Sequence, residues 1–243
     1  MKRILFLPLL LLSGFMMGQN PITTAVPFLS VSPDARGAGL AGCGTATEAD
    51  VFSMYYNPAK YAFVEGNTLA GGGYNRWLAG ETNLFNAAVA QRVGRQSTLA
   101  ATFRYFNGMS VEYLDPTGQF VGTYAPSDFA VDLAYAIRLN EVLSLALAGR
   151  YIQSSAGEQY YFSSFNEIKK GRSFAADLGI YYRKPLSLGG LKAHFAFGAS
   201  INNIGSKISY WASPFQLVQY KQPFPLPCVL EPASKRSLPM TIS

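Results

Sequence analysis

Phe129-Ala-Val-Asp-Leu-Ala-Tyr-Ala-Ile-Arg-Leu-Asn-Glu-Val-Leu-Ser-Leu-Ala-Leu-Ala-Gly-Arg-Tyr151 decides the fold. Phe129, Val131, Leu133, Tyr135, Ile137 and Leu139 alternate with Ala130, Asp132, Ala134, Ala136 and Arg138. After a short turn at Asn140-Glu141 the alternation resumes, with Leu143, Leu145, Leu147, Gly149 and Tyr151 set against Ser144, Ala146, Ala148 and Arg150. A strict period of two is the mark of a strand with two unlike faces. The same pattern recurs over Leu99–Tyr105, Phe174–Arg183 and Ala193–Asn202. Each run is about ten residues, the length of a tilted bilayer crossing.

Composition narrows the class. Hydrophobic residues make up 49% of the 243 and charged residues 14%, with 23 Gly, 15 Tyr and 17 Phe. That is too aromatic for a disordered chain and too poor in charge for a coiled coil. No internal apolar run is long enough for a membrane helix. The formal net charge is +6, but the basic residues are scattered and form no stripe or motif, so no nucleic-acid partner is expected.

Alternation alone does not separate a soluble sandwich from a membrane barrel, because the barrel turns its apolar face outward. Connection lengths favour the barrel. Short turns are expected near Gly94–Ser97, Asn140–Glu141 and Lys184–Gly190, and long connections at Gly71–Asn83, Asn107–Ser127 and Ser154–Arg172. Alternation of short and long is the habit of outer-membrane barrels, with short periplasmic turns and long external loops. The small-residue face carries isolated charges: Arg92, Arg104, Asp132, Arg138, Arg150, Asp177 and Arg183.

The ends of the chain read differently. Residues 1–18 have the form of a secretory signal, with Lys2 and Arg3 before the apolar run Ile4–Leu12 and cleavage expected near Gln19. Residues 19–66 contain a Gly/Ala stretch, Arg36–Thr47, and then a compact helix-and-turn knot over Glu48–Phe63, broken at Pro58. From Trp211 to Ser243 glycine disappears and six of the 14 prolines gather, so 211–243 is expected to be a disordered, aberrant tail left by truncation or a frame change.

Two stretches carry a resemblance. Ala25-Val-Pro-Phe-Leu-Ser-Val-Ser-Pro-Asp-Ala-Arg-Gly-Ala-Gly-Leu-Ala-Gly42 and Asp50-Val-Phe-Ser-Met-Tyr-Tyr-Asn-Pro-Ala-Lys-Tyr-Ala-Phe63 resemble the PorV/PorQ family of the Bacteroidota type IX secretion system, within the FadL-like barrel superfamily. The resemblance extends to about residue 210. It implies an all-β fold, an antiparallel transmembrane β-barrel of fourteen strands in the cell outer membrane, with an N-terminal plug inside the lumen. About seven or eight of those strands are expected over residues 67–210, the partial barrel.

The resemblance also implies a function: binding the C-terminal signal domains of secreted cargo proteins and delivering them to the surface attachment complex. Implied partners are that cargo, other secretion and attachment subunits, and outer membrane lipid. The alternative is a FadL-like transporter of hydrophobic small molecules. Asn57, Pro58 and Ala59 are the expected plug or gate motif, with Asp34 and Arg36 bridging plug to wall. Arg104, Asp132, Arg138, Arg150, Asp177 and Arg183 are expected to form a lumen charge network. Tyr113, Phe120, Tyr124, Tyr160, Tyr161, Phe162 and Phe165, on the two long loops, are the expected cargo-docking aromatics. No enzyme activity, cofactor or metal is expected: His194 is the single histidine, and there is no GxSxG, P-loop or metal-ligand spacing.

Overall fold

A computed structural model describes residues 26–77, 82–114, 117–155, 169–188, 191–206, 208–212, 216–220 and 233–234. The wall is one antiparallel sheet. Its long strands are β1 (Thr68–Trp77), β2 (Thr82–Arg92), β3 (Ser97–Asn107), β6 (Ser127–Arg138), β7 (Leu143–Ser154), β8 (Lys169–Leu188) and β9 (Leu191–Gly205). Each pairs with the next in that order. Between β3 and β6 a separate hairpin forms from β4 (Val111–Leu114) and β5 (Phe120–Tyr124). β10 (Ile208–Ala212) pairs with the start of β8, and β11 (Gln216–Tyr220) pairs with β10. A two-residue strand, β12 (Ala233–Ser234), pairs with β9. The sheet thus continues beyond residue 210, into the stretch expected to be disordered. Among the described residues it does not close on itself.

The faces settle what alternation left open. On β6, Ala130, Asp132, Ala134 and Ala136 are buried, while Val131, Leu133 and Tyr135 are exposed, Leu133 at 65%. Small and charged residues face inward, and large apolar ones face out. A water-soluble sandwich would reverse this, so the outer face is built for lipid. Five aromatic rings form a ladder across that face, Phe85–Phe103–Phe129–Tyr151–Phe174, on β2, β3, β6, β7 and β8. Among the described residues no helix is long and apolar enough to cross a membrane.

Residues 26–66 lie against the inner face. They form two 3-10 turns, Pro27–Ser30 and Ser53–Tyr55, one short helix, α1 (Ala35–Gly39), and a longer 3-10 helix, Pro58–Phe63. The core is the seam between this segment and the wall. Met54, Tyr61, Ala62 and Phe63 pack on Ala134, Ala136, Ala146 and Ala148. Val26 and Phe28 pack on Leu84, Ala130, Ile152 and Ile208. Alanine on the wall leaves room for a filling that comes from another part of the chain.

Three connections differ from expectation. The triplet Gly71–Gly73 reads as a loop but lies inside β1, and the connection to β2 shrinks to residues 78–81. The N-terminal segment crosses these glycines closely. A Cβ at Gly71 would meet Val51 at 3.0 Å, and one at Gly73 would meet the Pro33 carbonyl at 3.0 Å. Most of the turn expected over Lys184–Gly190 is strand, because β8 runs to Leu188 and β9 begins at Leu191. The long connection 107–127 is not wholly irregular, since it contains the β4–β5 hairpin.

Candidate functional site

The seam is where the expected site residues meet. Asn57 is fully buried and caps the Pro58–Phe63 helix, its Oδ1 accepting from the Ala59 N–H at 3.0 Å. Pro58 fits at the first position, where a missing N–H costs nothing. The Asn57 amide nitrogen then donates to two carbonyls, Thr45 at 3.2 Å and Ile180 of β8 at 2.8 Å. One side chain therefore ends a turn, ties two parts of the N-terminal segment together and fastens both to the wall. Gly179 and Gly198 make this approach possible, since a Cβ on either would collide with Asn57 or with the Thr45 carbonyl.

The far end of the same helix is held by arginines. The last carbonyls of a helix lack internal partners and carry the negative end of its dipole. Arg138 of β6 donates to the Ala62 carbonyl through Nε at 3.1 Å and Nη2 at 2.6 Å, and lies over the Phe63 ring at 4.7 Å. Arg92 of β2 donates to the Val64 carbonyl at 2.6 Å. Ser144 of β7 donates to the Ala59 carbonyl at 2.7 Å, and Ser200 of β9 to the Tyr56 carbonyl at 2.8 Å. Arg104 of β3 treats the first 3-10 turn alike, donating to the Phe28 and Leu29 carbonyls at 3.0 Å each while stacking on Tyr55 at 4.0 Å. The wall holds the backbone of the N-terminal segment more than its side chains.

The expected charge network is smaller than the sequence suggested. Arg150 alone joins the two aspartates: it pairs with Asp132 through Nε and with Asp177 through Nη2 at 3.0 Å. Thr102 donates to Asp132 at 2.6 Å, and the Asn203 N–H donates to Asp177 at 2.6 Å. Asn203 sits at φ 60, a left-handed conformation that brings its side chain to Arg150 as well. Arg104 and Arg138 are spent on carbonyls instead, and Arg183 lies 3.2 Å from His194. Inward-facing charge is legible in a sequence, but its pairing depends on register.

Asp34 and Arg36 do not bridge to the wall. Asp34 is the N-cap of α1, accepting from the Gly37 N–H at 3.0 Å and from the Tyr56 hydroxyl at 3.3 Å. Arg36 pairs with Asp50 at 3.3 Å, within the same segment. Both side chains are used up inside the segment, and the wall contact here is made by the backbone, where the Pro33 carbonyl accepts from Asn75 of β1 and Asn86 of β2 at 3.3 Å each. Lys60, by contrast, drew no attention in the sequence and is fully buried, donating to the Gly44 carbonyl at 2.9 Å and Thr47 Oγ1 at 3.1 Å. Its signal was a lone cation in Pro58-Ala-Lys-Tyr-Ala-Phe63. Burial pushes the Tyr56 hydroxyl up to about 12 and raises Tyr55 and Tyr61 as well.

Of the expected docking aromatics, Phe120 is 61% exposed on β5 and Tyr113 lies in β4. Tyr124 is buried and faces inward, so it cannot present itself to a partner. Its hydroxyl donates to the Ser155 carbonyl, and Ser155 Oγ accepts from the Ser127 N–H at 2.7 Å. Tyr124 is the post on which the hairpin stands. Tyr160, Tyr161, Phe162 and Phe165 lie outside the described residues. Among the described residues no group of three or more His, Cys, Asp or Glu is arranged to hold a metal.

No curated protein matches the chain. A family model described as type IX secretion system protein PorV matches residues 16–217, which takes in the whole N-terminal segment, every long strand of the wall and β10. An inward-small, outward-apolar antiparallel sheet fits an outer-membrane barrel, and the match covers far more than half of the sequence. The chain belongs to the PorV family, outer-membrane β-barrel components of the type IX secretion system.

Proposed function

We propose that this chain binds secreted cargo by its C-terminal signal domain at the outer face of the membrane and delivers it to the surface attachment complex. One observation carries the reading. The β4–β5 hairpin pairs with itself and not with the wall, and it exposes Leu114 and Phe120 at 61% each. A monomeric surface seldom presents such side chains on a projecting hairpin without a partner, and a two-stranded hairpin gains stability when covered. Tyr124 and Ser155 hold its base rigidly against the wall, which lowers the entropy cost of docking. The hairpin stands at the end of the sheet opposite the short turns 93–96 and 139–142, the end that faces outward if short turns are periplasmic.

Export through a cleaved signal at residues 1–18 and lipid contact along the aromatic ladder belong to the same reading. Transport of hydrophobic small molecules needs an apolar passage. Here the inner face carries Arg104, Asp132, Arg150 and Asp177 and is covered by residues 26–66. The test is cargo co-purification with a copy in which 111–124 is replaced by a short Gly/Ser link, alongside one in which 156–168, between Ser155 and the start of β8, is so replaced. Loss of cargo with unchanged membrane insertion supports the proposal. Undiminished cargo on both variants sinks it.

A further inference from the structure

The outer face of the wall is uneven. Val89, Ala101, Leu133, Gly149 and Ala176 lie opposite one another on β2, β3, β6, β7 and β8, and all belong to the outer face. Three of these five are Gly or Ala. The next row away from the short turns carries Phe103, Tyr151 and Phe174 of the aromatic ladder, and the next row towards them carries Leu99, Tyr135 and Leu147. A trough therefore runs between two bulky rows. It opens into a hollow of about 540 Å³ lined by Val89, Leu99, Ala101, Leu133, Leu147 and Gly149, with Gln91 and Tyr135 at one end. That volume is usual for a small-ligand site.

Polar groups gather only at the short-turn end of the trough. Gln91 accepts from the Thr68 hydroxyl and donates to the Arg92 carbonyl. The Tyr135 hydroxyl is paired with Ser97 at 2.8 Å, a tyrosine placed as at a membrane boundary. Just beyond, the turn 93–96 exposes Arg95. Ala101 stands four residues above Ser97 on β3, about 10 Å along the membrane normal at the usual strand rise and tilt. The trough thus lies within the apolar band, and Arg95 lies at its edge. Apolar floor, then hydroxyl and amide, then cation is the order that matches one anionic lipid from tail to phosphate. Leu133, 65% exposed, stands up in the middle of the trough. A rigid protein face would have to be shaped around it, whereas a flexible chain passes beside it.

We propose that this trough seats one acyl chain of a phospholipid whose anionic head group rests on Arg95. The site rests on the outer face being turned to lipid and is independent of the cargo-docking hairpin.

The test uses the full chain in phosphatidylcholine vesicles that contain a small fraction of phosphatidylglycerol with a photoreactive acyl chain. Labelled peptides are mapped by mass spectrometry after irradiation. Labelling is expected to concentrate on Ala101, Leu133 and Gly149, several-fold above that at Ile180 and Ile201, which are also exposed on the outer face. Unlabelled phosphatidylglycerol should compete it away. Arg95→Gln should weaken that competition about fivefold, the share of one basic residue beside an anionic head group, and leave competition by phosphatidylcholine unchanged. Gly149→Leu fills the trough and should bring its labelling down to the level of Ile180; should that variant not fold, Ala101→Leu reads the same loss. Even labelling of the whole outer face means ordinary surrounding lipid and overturns the proposal. Labelling of the face but not of the trough means that a second copy or another protein covers it, and overturns it too. An outer face without label would overturn the lipid-facing reading as well. Unchanged competition in Arg95→Gln overturns the seat of the head group.

Discussion

Asn57 and Ile180, 123 residues apart in sequence, are joined by a 2.8 Å hydrogen bond from the Asn57 amide to the Ile180 carbonyl. The bond links the most compact part of the N-terminal segment to the middle of β8. Because Asn57 also caps its own helix and holds Thr45, it uses both ends of its amide. Only asparagine supplies an acceptor and a two-hydrogen donor on so short a stem.

Asn57→Asp should therefore be worse than a simple loss of contact. The acceptor for the Ala59 N–H survives, but the donor is replaced by an oxygen facing two carbonyls in a fully buried site. The expected cost is about 3 kcal/mol or more. Urea unfolding of the refolded protein measures it, with Asn57→Ala as the milder comparison. A midpoint no lower than the parent's in Asn57→Asp would show that the tether contributes nothing.

Glycines on the wall divide into two kinds. Gly179→Ala and Gly198→Ala should each loosen the N-terminal segment, because the added methyl meets Asn57 or the Thr45 backbone. Gly149→Ala, with nothing within 4 Å of its Cβ on the outer face, should be neutral. Limited proteolysis within residues 26–66 separates them: faster cleavage is expected for the first pair and parent-like cleavage for the third. Equal cleavage of all three would mean that the close approach is not needed.

Arg150 pairs with two buried carboxylates at once. Removing it as Arg150→Met leaves Asp132 and Asp177 buried without their shared cation, a loss of roughly 3–5 kcal/mol by analogy with other broken buried pairs. The triple change Arg150→Met, Asp132→Asn, Asp177→Asn should recover most of that, since no charge is then stranded. Thermal melts of the two variants in the same detergent decide it. A triple variant as unstable as the single one would show that packing and not charge sets the cost.

What the sequence shows and what it hides follow from distance along the chain. Strands β3, β6, β7 and β9 were readable because alternation is local, and Asp132, Arg150 and Asp177 were readable as inward because the face follows from the period. Their partners were not, since pairing Arg150 with Asp177 depends on the β7–β8 register, in which Ala148 rather than Arg150 lies opposite Asp177. Gly71–Gly73 reads as a loop because glycine is a local breaker. Only the approach of Val51 and Pro33 from outside the window makes it a strand. Tyr124 failed for the same reason, since a loop aromatic looks exposed until Ser155 comes beneath it.

Alkali should release the N-terminal segment from the wall. Burial raises the folded-state ionisation of Tyr56 from 10.0 to about 12, and Tyr55 and Tyr61 are raised too. Below pH 10 these hydroxyls are neutral in folded and unfolded chains alike, so their contribution is complete. As pH climbs above 10 the unfolded chain loses its protons first, and stability falls through the folded value near 12. The ultraviolet absorbance of tyrosinate, followed with proteolysis of residues 26–66, should show late ionisation coinciding with release. Tyr56→Phe keeps the ring but gives up the hydroxyl's contacts with Ser32 and Asp34. It should start from a lower stability at neutral pH and lose less of it between pH 10 and 12. A variant whose alkaline loss is as steep as the parent's would show that the plug's sensitivity to alkali lies elsewhere.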